Sequence, residues 1–271
     1  MQGRSGAALS SDGVLIHYDV HGAGPVTLVL VHGWCCDRRY WRHQVDHLAD
    51  RFTVVCVDLA GHGESGRDRQ RFTISTFAED VVAVVKQLGV DRVVLIGHSM
   101  SGGVIVEAAR RLGSLVIGLV GVDTLWNVDQ ERSADDVAAF MAPFRADFPK
   151  AARGFVRRMF PPTFDAGLAA EITSGVAEFP SVIGTEALES SVGNGANLRQ
   201  GLDALRIPIA LINSPYWQTT NLEAAQRRSM DVTLMSGVGH FLMLEDPPAF
   251  NRVLDDAVRK FLAAIDAEQP R

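Results

Sequence analysis

The stretch Val94-Leu95-Ile96-Gly97-His98-Ser99-Met100-Ser101-Gly102-Gly103 constrains the fold more than any other part of the chain. A short aliphatic run passes straight into a serine set among small residues. An apolar helix pattern follows at Val104, Ile105, Val106, Ala109 and Leu112. That order predicts a buried strand, a sharp turn and a helix. Strand and helix backbones crowd together at such a turn, so its neighbours must be small. Gly97 stands two residues before Ser99, and Ser101 stands two after it, where such turns usually carry glycine. A serine hydroxyl is a poor nucleophile until a turn presents it and a base removes its proton. A second register, with Ser101 as nucleophile, also fits the spacing. The strand ends at Ile96 or Gly97, however, which puts Ser99 at the tip of the turn.

Strand and helix signals alternate through the first half, which predicts a mostly parallel sheet with helices on its faces. Residues 14–20 alternate apolar and polar, and Gly22, Gly24 and Pro25 mark a turn. Residues 26–31 form a nearly continuous β-branched and aliphatic run, the pattern of a strand buried on both faces. Trp41, Val45 and Leu48 fall at helical spacing. Further strands are expected over 53–57, 92–96 and 115–122, with a helix over 77–88. The alternation then breaks. Short helical patterns cover 135–148, 150–160, 164–176 and 184–191, separated by Phe148-Pro149, Pro161-Pro162 and Phe179-Pro180. Strand signals return at 207–212 and 232–235, and a helix is expected over 251–265. The expected organisation is a core of residues 1–124 and 204–271 carrying a helical insert of residues 125–203.

A chain of 271 residues suits one large α/β domain with a small insert. Its formal charge of −6 argues against nucleic acid, whose partners show a basic patch. The three cysteines, Cys35, Cys36 and Cys56, cannot build a disulfide framework, so a reducing compartment is expected. No Cys and His spacing suggests structural zinc. Residues 1–13 carry no apolar core of signal-peptide length, and no run of about 20 apolar residues occurs. A cytoplasmic protein with no membrane span is expected.

Three further segments lie just beyond predicted strands. Val31-His32-Gly33-Trp34 includes a glycine turn that can aim backbone N–H groups at a developing oxyanion. Each such donor is worth about 2.7–4 kcal/mol in the transition state. Asp58-Leu59-Ala60-Gly61-His62-Gly63-Glu64-Ser65 has the glycines of a tight loop, and Gly237-Val238-Gly239-His240-Phe241 puts a histidine on a late loop. Together with the Ser99 turn, these motifs resemble the α/β-hydrolase fold superfamily over essentially the whole chain. The resemblance implies Ser99 as nucleophile and His240 as its general base. It implies an oxyanion hole from the backbone N–H groups of Trp34 and Met100, a lid for the insert, and no cofactor or metal. That family usually places its acid shortly beyond the strand expected here at 207–212. Residues 213–221 hold no carboxylate, and the first is Glu223. Some members carry the acid one strand earlier, where Asp123 ends the Leu119-Val120-Gly121-Val122 run at the carboxyl edge of the sheet. The order Ser99, Asp123, His240 also keeps nucleophile, acid and base in the family's sequence. Asp123 is the expected acid, with Glu223 or a Ser99–His240 dyad as alternatives.

These residues point to a lidded serine hydrolase acting on a carboxylic ester of a small or medium, partly hydrophobic molecule. C–C bond hydrolysis, lactone opening and perhydrolysis could use the same triad. A small-molecule receptor with little turnover is the reading from another class. A serine at the turn argues against the dehalogenases and epoxide hydrolases of this fold, which use aspartate. His98, Trp126, Phe144 and Trp217 are the expected pocket residues. Phe140, Met141, Phe148, Met159 and Phe160 could join them or simply pack the lid on the core. Cys35, Cys36 and His62 are expected to pack near the loops, and Arg153, Arg157 and Arg158 to form a solvated helix face.

Overall fold

The computed structural model describes residues 3–268. Residues 1, 2 and 269–271, at the ends of the two expected core segments, lie outside the described residues. The apolar runs pair into one eight-stranded sheet of β1 (Arg4–Leu9), β2 (Leu15–His21), β3 (Thr27–Val31), β4 (Thr53–Val57), β5 (Val93–His98), β6 (Val116–Val122), β7 (Ile209–Asn213) and β8 (Asp231–Leu234). Their spatial order is β1-β2-β4-β3-β5-β6-β7-β8. β2 runs antiparallel to both of its neighbours, and the six strands from β4 to β8 pair in parallel. β3, β5 and β7 are buried at every position, which is why they read as unbroken aliphatic runs. β1 was not expected. Its Ser5-Gly6-Ala7-Ala8 centre has little intrinsic strand preference, and only its pairing with β2 makes it a strand.

Helices α1 (Arg42–Leu48), α2 (Ile74–Leu88) and α3 (Ser101–Leu112) connect the first six strands. Thr73 and Thr76 form a reciprocal cap at the start of α2, and Gly89 closes it in the left-handed region. Between β6 and β7 lie α4 (Ala134–Ala146), α5 (Phe148–Arg157), α6 (Ala166–Glu178), α7 (Ser181–Gly193) and α8 (Gly195–Ala204). Pro149, expected to separate two helices, instead sits in the first turn of α5 below the cap of Asp147, where proline's missing N–H costs nothing. α8 begins Gly-Ala-Asn and has no strong helical signal. It forms because it packs on α3, so closely that a Cβ at Gly201 would stand 2.8 Å from Val106. α9 (Leu222–Arg227) and α10 (Leu242–Glu245) are too short for periodicity to show, and α11 (Pro247–Glu268) ends the chain's described part. Among the described residues no helix is long and apolar enough to cross a membrane.

The β5–α3 connection is tight because of Gly97. A Cβ there would stand 2.5 Å from the backbone oxygen of Ser101 and 2.9 Å from Ile105. Gly97→Ala should therefore force α3 off the sheet and cost roughly 1–3 kcal/mol. A shift of each kcal/mol lowers Tm by about 2–4 °C in a domain of this size. Gly154→Ala, at an exposed position of α5 with nothing within 4 Å of its Cβ position, should leave Tm unchanged or raise it. Thermal unfolding of the two variants checks this; equal effects would contradict it.

Candidate active site

Ser99 follows β5 with φ +55°, a left-handed backbone that costs a residue bearing a Cβ about 1–2 kcal/mol. Three hydrogen bonds hold it there. Its N–H donates to the Val122 carbonyl at 2.9 Å, and its own carbonyl accepts from Gly102 N at 3.0 Å and Thr124 Oγ1 at 2.6 Å. The side chain is thereby raised above the carboxyl edge of the sheet. His240, on the loop between β8 and α10, places Nε2 2.9 Å from Ser99 Oγ. Its Nδ1–H donates to Asp123 Oδ2 at 2.5 Å, which leaves the Nε2 lone pair facing the serine hydroxyl.

Asp123 follows β6 directly, with φ +43° and no exposure. Its second oxygen accepts from Ser214 N at 2.8 Å and Trp126 Nε1 at 3.3 Å. Glu223, the alternative acid, lies on α9 with its side chain 89% exposed beside Arg227, away from this line. The position at the end of β7 is held by Asn213, which is fully buried. Its Oδ1 accepts from Thr124 N at 3.0 Å, and its Nδ2 donates to Thr124 O and Thr220 Oγ1, both at 3.0 Å. A carboxylate there would lose both donors and bury a second negative charge near Asp123.

The histidine loop is fastened from several sides that the sequence does not reveal. Glu245 accepts from Gly239 N at 2.7 Å and Phe241 N at 3.1 Å, and burial pushes its carboxyl above the usual range. His240 N donates to the carbonyl of Met159 at 3.2 Å. His98 Nε2–H donates to the carbonyl of His240 at 2.9 Å. Burial, with His240 nearby, holds the His98 imidazole well below its ordinary range, so it stays neutral and backs the loop.

Trp34 and Met100 border the same cavity as Ser99, and among the described residues neither backbone N–H is taken by a turn or loop hydrogen bond. Ser99 and His240 open onto a cavity of about 660 Å³. Trp126 and Trp217, both expected at the pocket, stand on its wall, joined by Phe155 and Met159, and His98 borders its floor. Phe144 does not line it. It lies buried behind the wall, edge-on to Trp34 at 5.9 Å and to Phe155 at 5.6 Å, because α4 presents it to the neighbouring helices. Arg153, Arg157 and Arg158 stay outside the cavity lining. The three cysteines are buried free thiols that burial raises far above their ordinary range, and Cys36 also borders the cavity. His62 packs between His32, at 4.8 Å, and Phe179, at 4.7 Å.

Comparison with known proteins fits this geometry. A stretch of 93 residues, 34% of this chain, is 41% identical to 32% of a soluble epoxide hydrolase from Corynebacterium sp.. A stretch of 95 residues, 33% of this chain, is 38% identical to 35% of a karrikin insensitive 2 receptor from Petunia hybrida. The chain spans about a quarter to a third of the length of the curated relatives it matches first. The solved structure of a thermophilic esterase from Thermogutta terrifontis matches 95% of this chain and 99% of its own with a TM-score of 0.82 at 22% identity, a likeness of fold. Residues 28–253 match the model of the alpha/beta hydrolase family, and the chain belongs to that family.

Proposed function

We propose that this protein is a serine hydrolase that cleaves carboxylic esters through an acyl-enzyme. The carrying observation is the unbroken line from Ser99 Oγ through the His240 imidazole to Asp123 Oδ2, opening onto a cavity walled in part by Trp126, Phe155 and Trp217. As Ser99 Oγ attacks the ester carbonyl, His240 Nε2 takes its proton. The imidazolium that forms is stabilised by the buried Asp123 anion, which also keeps Nδ1 protonated. The oxygen of the tetrahedral intermediate is received by the backbone N–H groups of Trp34 and Met100. His240 then returns its proton to the leaving alcohol. Water repeats the cycle on the acyl-enzyme and frees the acid and Ser99. No cofactor or metal takes part in this scheme.

Residues 125–203 act as the cap. They supply Phe155 and Met159 to the wall, and a cavity of about 660 Å³ suits a small or medium, partly hydrophobic substrate. Opening an epoxide with serine would leave an ether that water cannot release, so the activity in the Corynebacterium relative's name is disfavoured here. Lactones and C–C bonds beside a ketone remain within reach of the same groups. The likeness to a plant receptor over part of the chain favours one second reading, a small-molecule receptor that turns over slowly or once.

Three outcomes test these assignments. Asp123→Asn should lower kcat by up to about four orders of magnitude, because an amide favours the wrong imidazole tautomer. Glu223→Gln should change it less than about tenfold, since an exposed carboxylate away from the histidine contributes little. Kinetics on the two folded variants check both, and the reverse order would refute Asp123 as the acid. Phe155→Ala should shift preference among acyl-chain lengths more than Phe144→Ala does, because only Phe155 lines the cavity; a parallel panel of esters measures the shift. A chromogenic ester should be turned over steadily by the wild type and not by Ser99→Ala. One burst of product that then stops would favour the receptor.

A further inference from the structure

Ser101 occupies the position where turns of this kind usually carry glycine, and the scheme above gives it no part. Its side chain is nevertheless fully buried at the first position of α3. Its Oγ–H donates to the carbonyl of His32, 69 residues earlier in the chain, at 2.5 Å. His32 is the first residue after β3 and opens the loop that carries the Trp34 N–H. The hydroxyl therefore ties the helix behind the nucleophile to the loop in front of it.

What this tie controls follows from peptide geometry. Because each peptide unit is planar, fixing its C=O also fixes the direction of its N–H. The unit that ends in Trp34 N–H begins with the Gly33 carbonyl, which accepts from His32 Nδ1–H at 2.8 Å and Cys36 N–H at 3.2 Å. The preceding unit begins with the His32 carbonyl, and Ser101 supplies its side-chain donor. The His32 ring is fixed in turn, since its Nε2 accepts from Leu59 N at 3.1 Å and burial keeps it neutral. Two successive peptides of the loop are thus held at their oxygens. The loop has no slack on its inner side, where a Cβ at Gly33 would stand 2.6 Å from His98 Nδ1 and 3.2 Å from Ser99 Cβ.

We propose that Ser101 is a positioning residue for the oxyanion hole: by holding the His32 carbonyl it anchors the peptide unit just before the one that carries the Trp34 N–H, and so keeps that N–H directed to where charge develops on the substrate oxygen. The inference rests on the reading of Ser99 as nucleophile with Trp34 and Met100 as donors. Removing a whole donor from such a site costs about 100- to 1,000-fold in kcat, so releasing one that remains present should cost less, about tenfold. The loss belongs to the transition state, where the oxygen carries charge, and not to the ground state.

The test compares wild type with Ser101→Ala on one ester, with two inhibitors. A trifluoromethyl ketone forms a tetrahedral adduct with an oxyanion. The matching unreactive alcohol fills the same cavity without one. Ser101→Ala should lose about tenfold in kcat and in affinity for the ketone, with KM and affinity for the alcohol changed less than about twofold. If that variant fails to fold, Ser101→Gly, the smaller residue usual at this position, gives the same comparison. A lower Tm in either variant with the ratio of the two affinities unchanged would overturn the positioning role while leaving Ser99 in place. Wild-type turnover that survives Ser99→Ala would instead overturn the reading beneath it.

Discussion

A carboxylate with no contact to water must find its hydrogen-bond donors in the protein, and Asp123 is such a group. Its three donors come from three segments, one local and two distant in the chain. Trp126 lies three residues on, between β6 and α4, Ser214 just after β7, and His240 on the loop after β8. Satisfying one buried anion therefore assembles the carboxyl edge of the sheet. The same demand orders the chemistry, because the Nδ1–H that Asp123 accepts leaves Nε2 as the lone pair offered to Ser99. An uncompensated buried charge costs several kcal/mol, so the three donors to Asp123 also support the fold.

The segment between β6 and β7 is bonded to this edge at several points. The carbonyl of Met159 accepts from the N–H of His240, and the carbonyl of Phe160 accepts from Tyr216 Oη at 3.0 Å. On the opposite side, Trp34 Nε1 donates to the carbonyl of Gly184 in α7 at 2.7 Å. Residues 159–160 and 184 thus bear directly on the histidine loop and on the loop after β3. Met159 both borders the cavity and, through its carbonyl, holds the backbone of His240.

The parallel core was legible because burial on both faces writes a continuous aliphatic run, as in β3 and β5. Ser99 was legible because crowding at a strand-to-helix turn demands small neighbours, and a Cβ at Gly97 has no room. The pairing of Asp123 with His240 could be read from the lack of a carboxylate over residues 213–221 together with a strand end that carried one. What replaced the usual acid could not be read. Asn213 is explained only by its three partners on Thr124 and Thr220, which the chain brings together in space and not in sequence. Glu245 was hidden for the same reason, since nothing in Leu242-Met243-Leu244-Glu245 shows that both its oxygens will hold the histidine loop. Phe144 and Phe155 are equally apolar residues on adjacent helices. Which of them meets the cavity depends on how α4 and α5 are rotated against their neighbours, and periodicity alone does not set that rotation.

The measurement that bears most directly on this account is the crystal structure of the protein after reaction with a fluorophosphonate. Phosphorus should be bonded to Ser99 Oγ. One phosphonyl oxygen should lie at hydrogen-bond distance from the backbone nitrogens of both Trp34 and Met100, with His240 still bonded to Asp123. Phosphorus on Ser101 or any other residue, or its oxygen turned away from both nitrogens, would contradict the account.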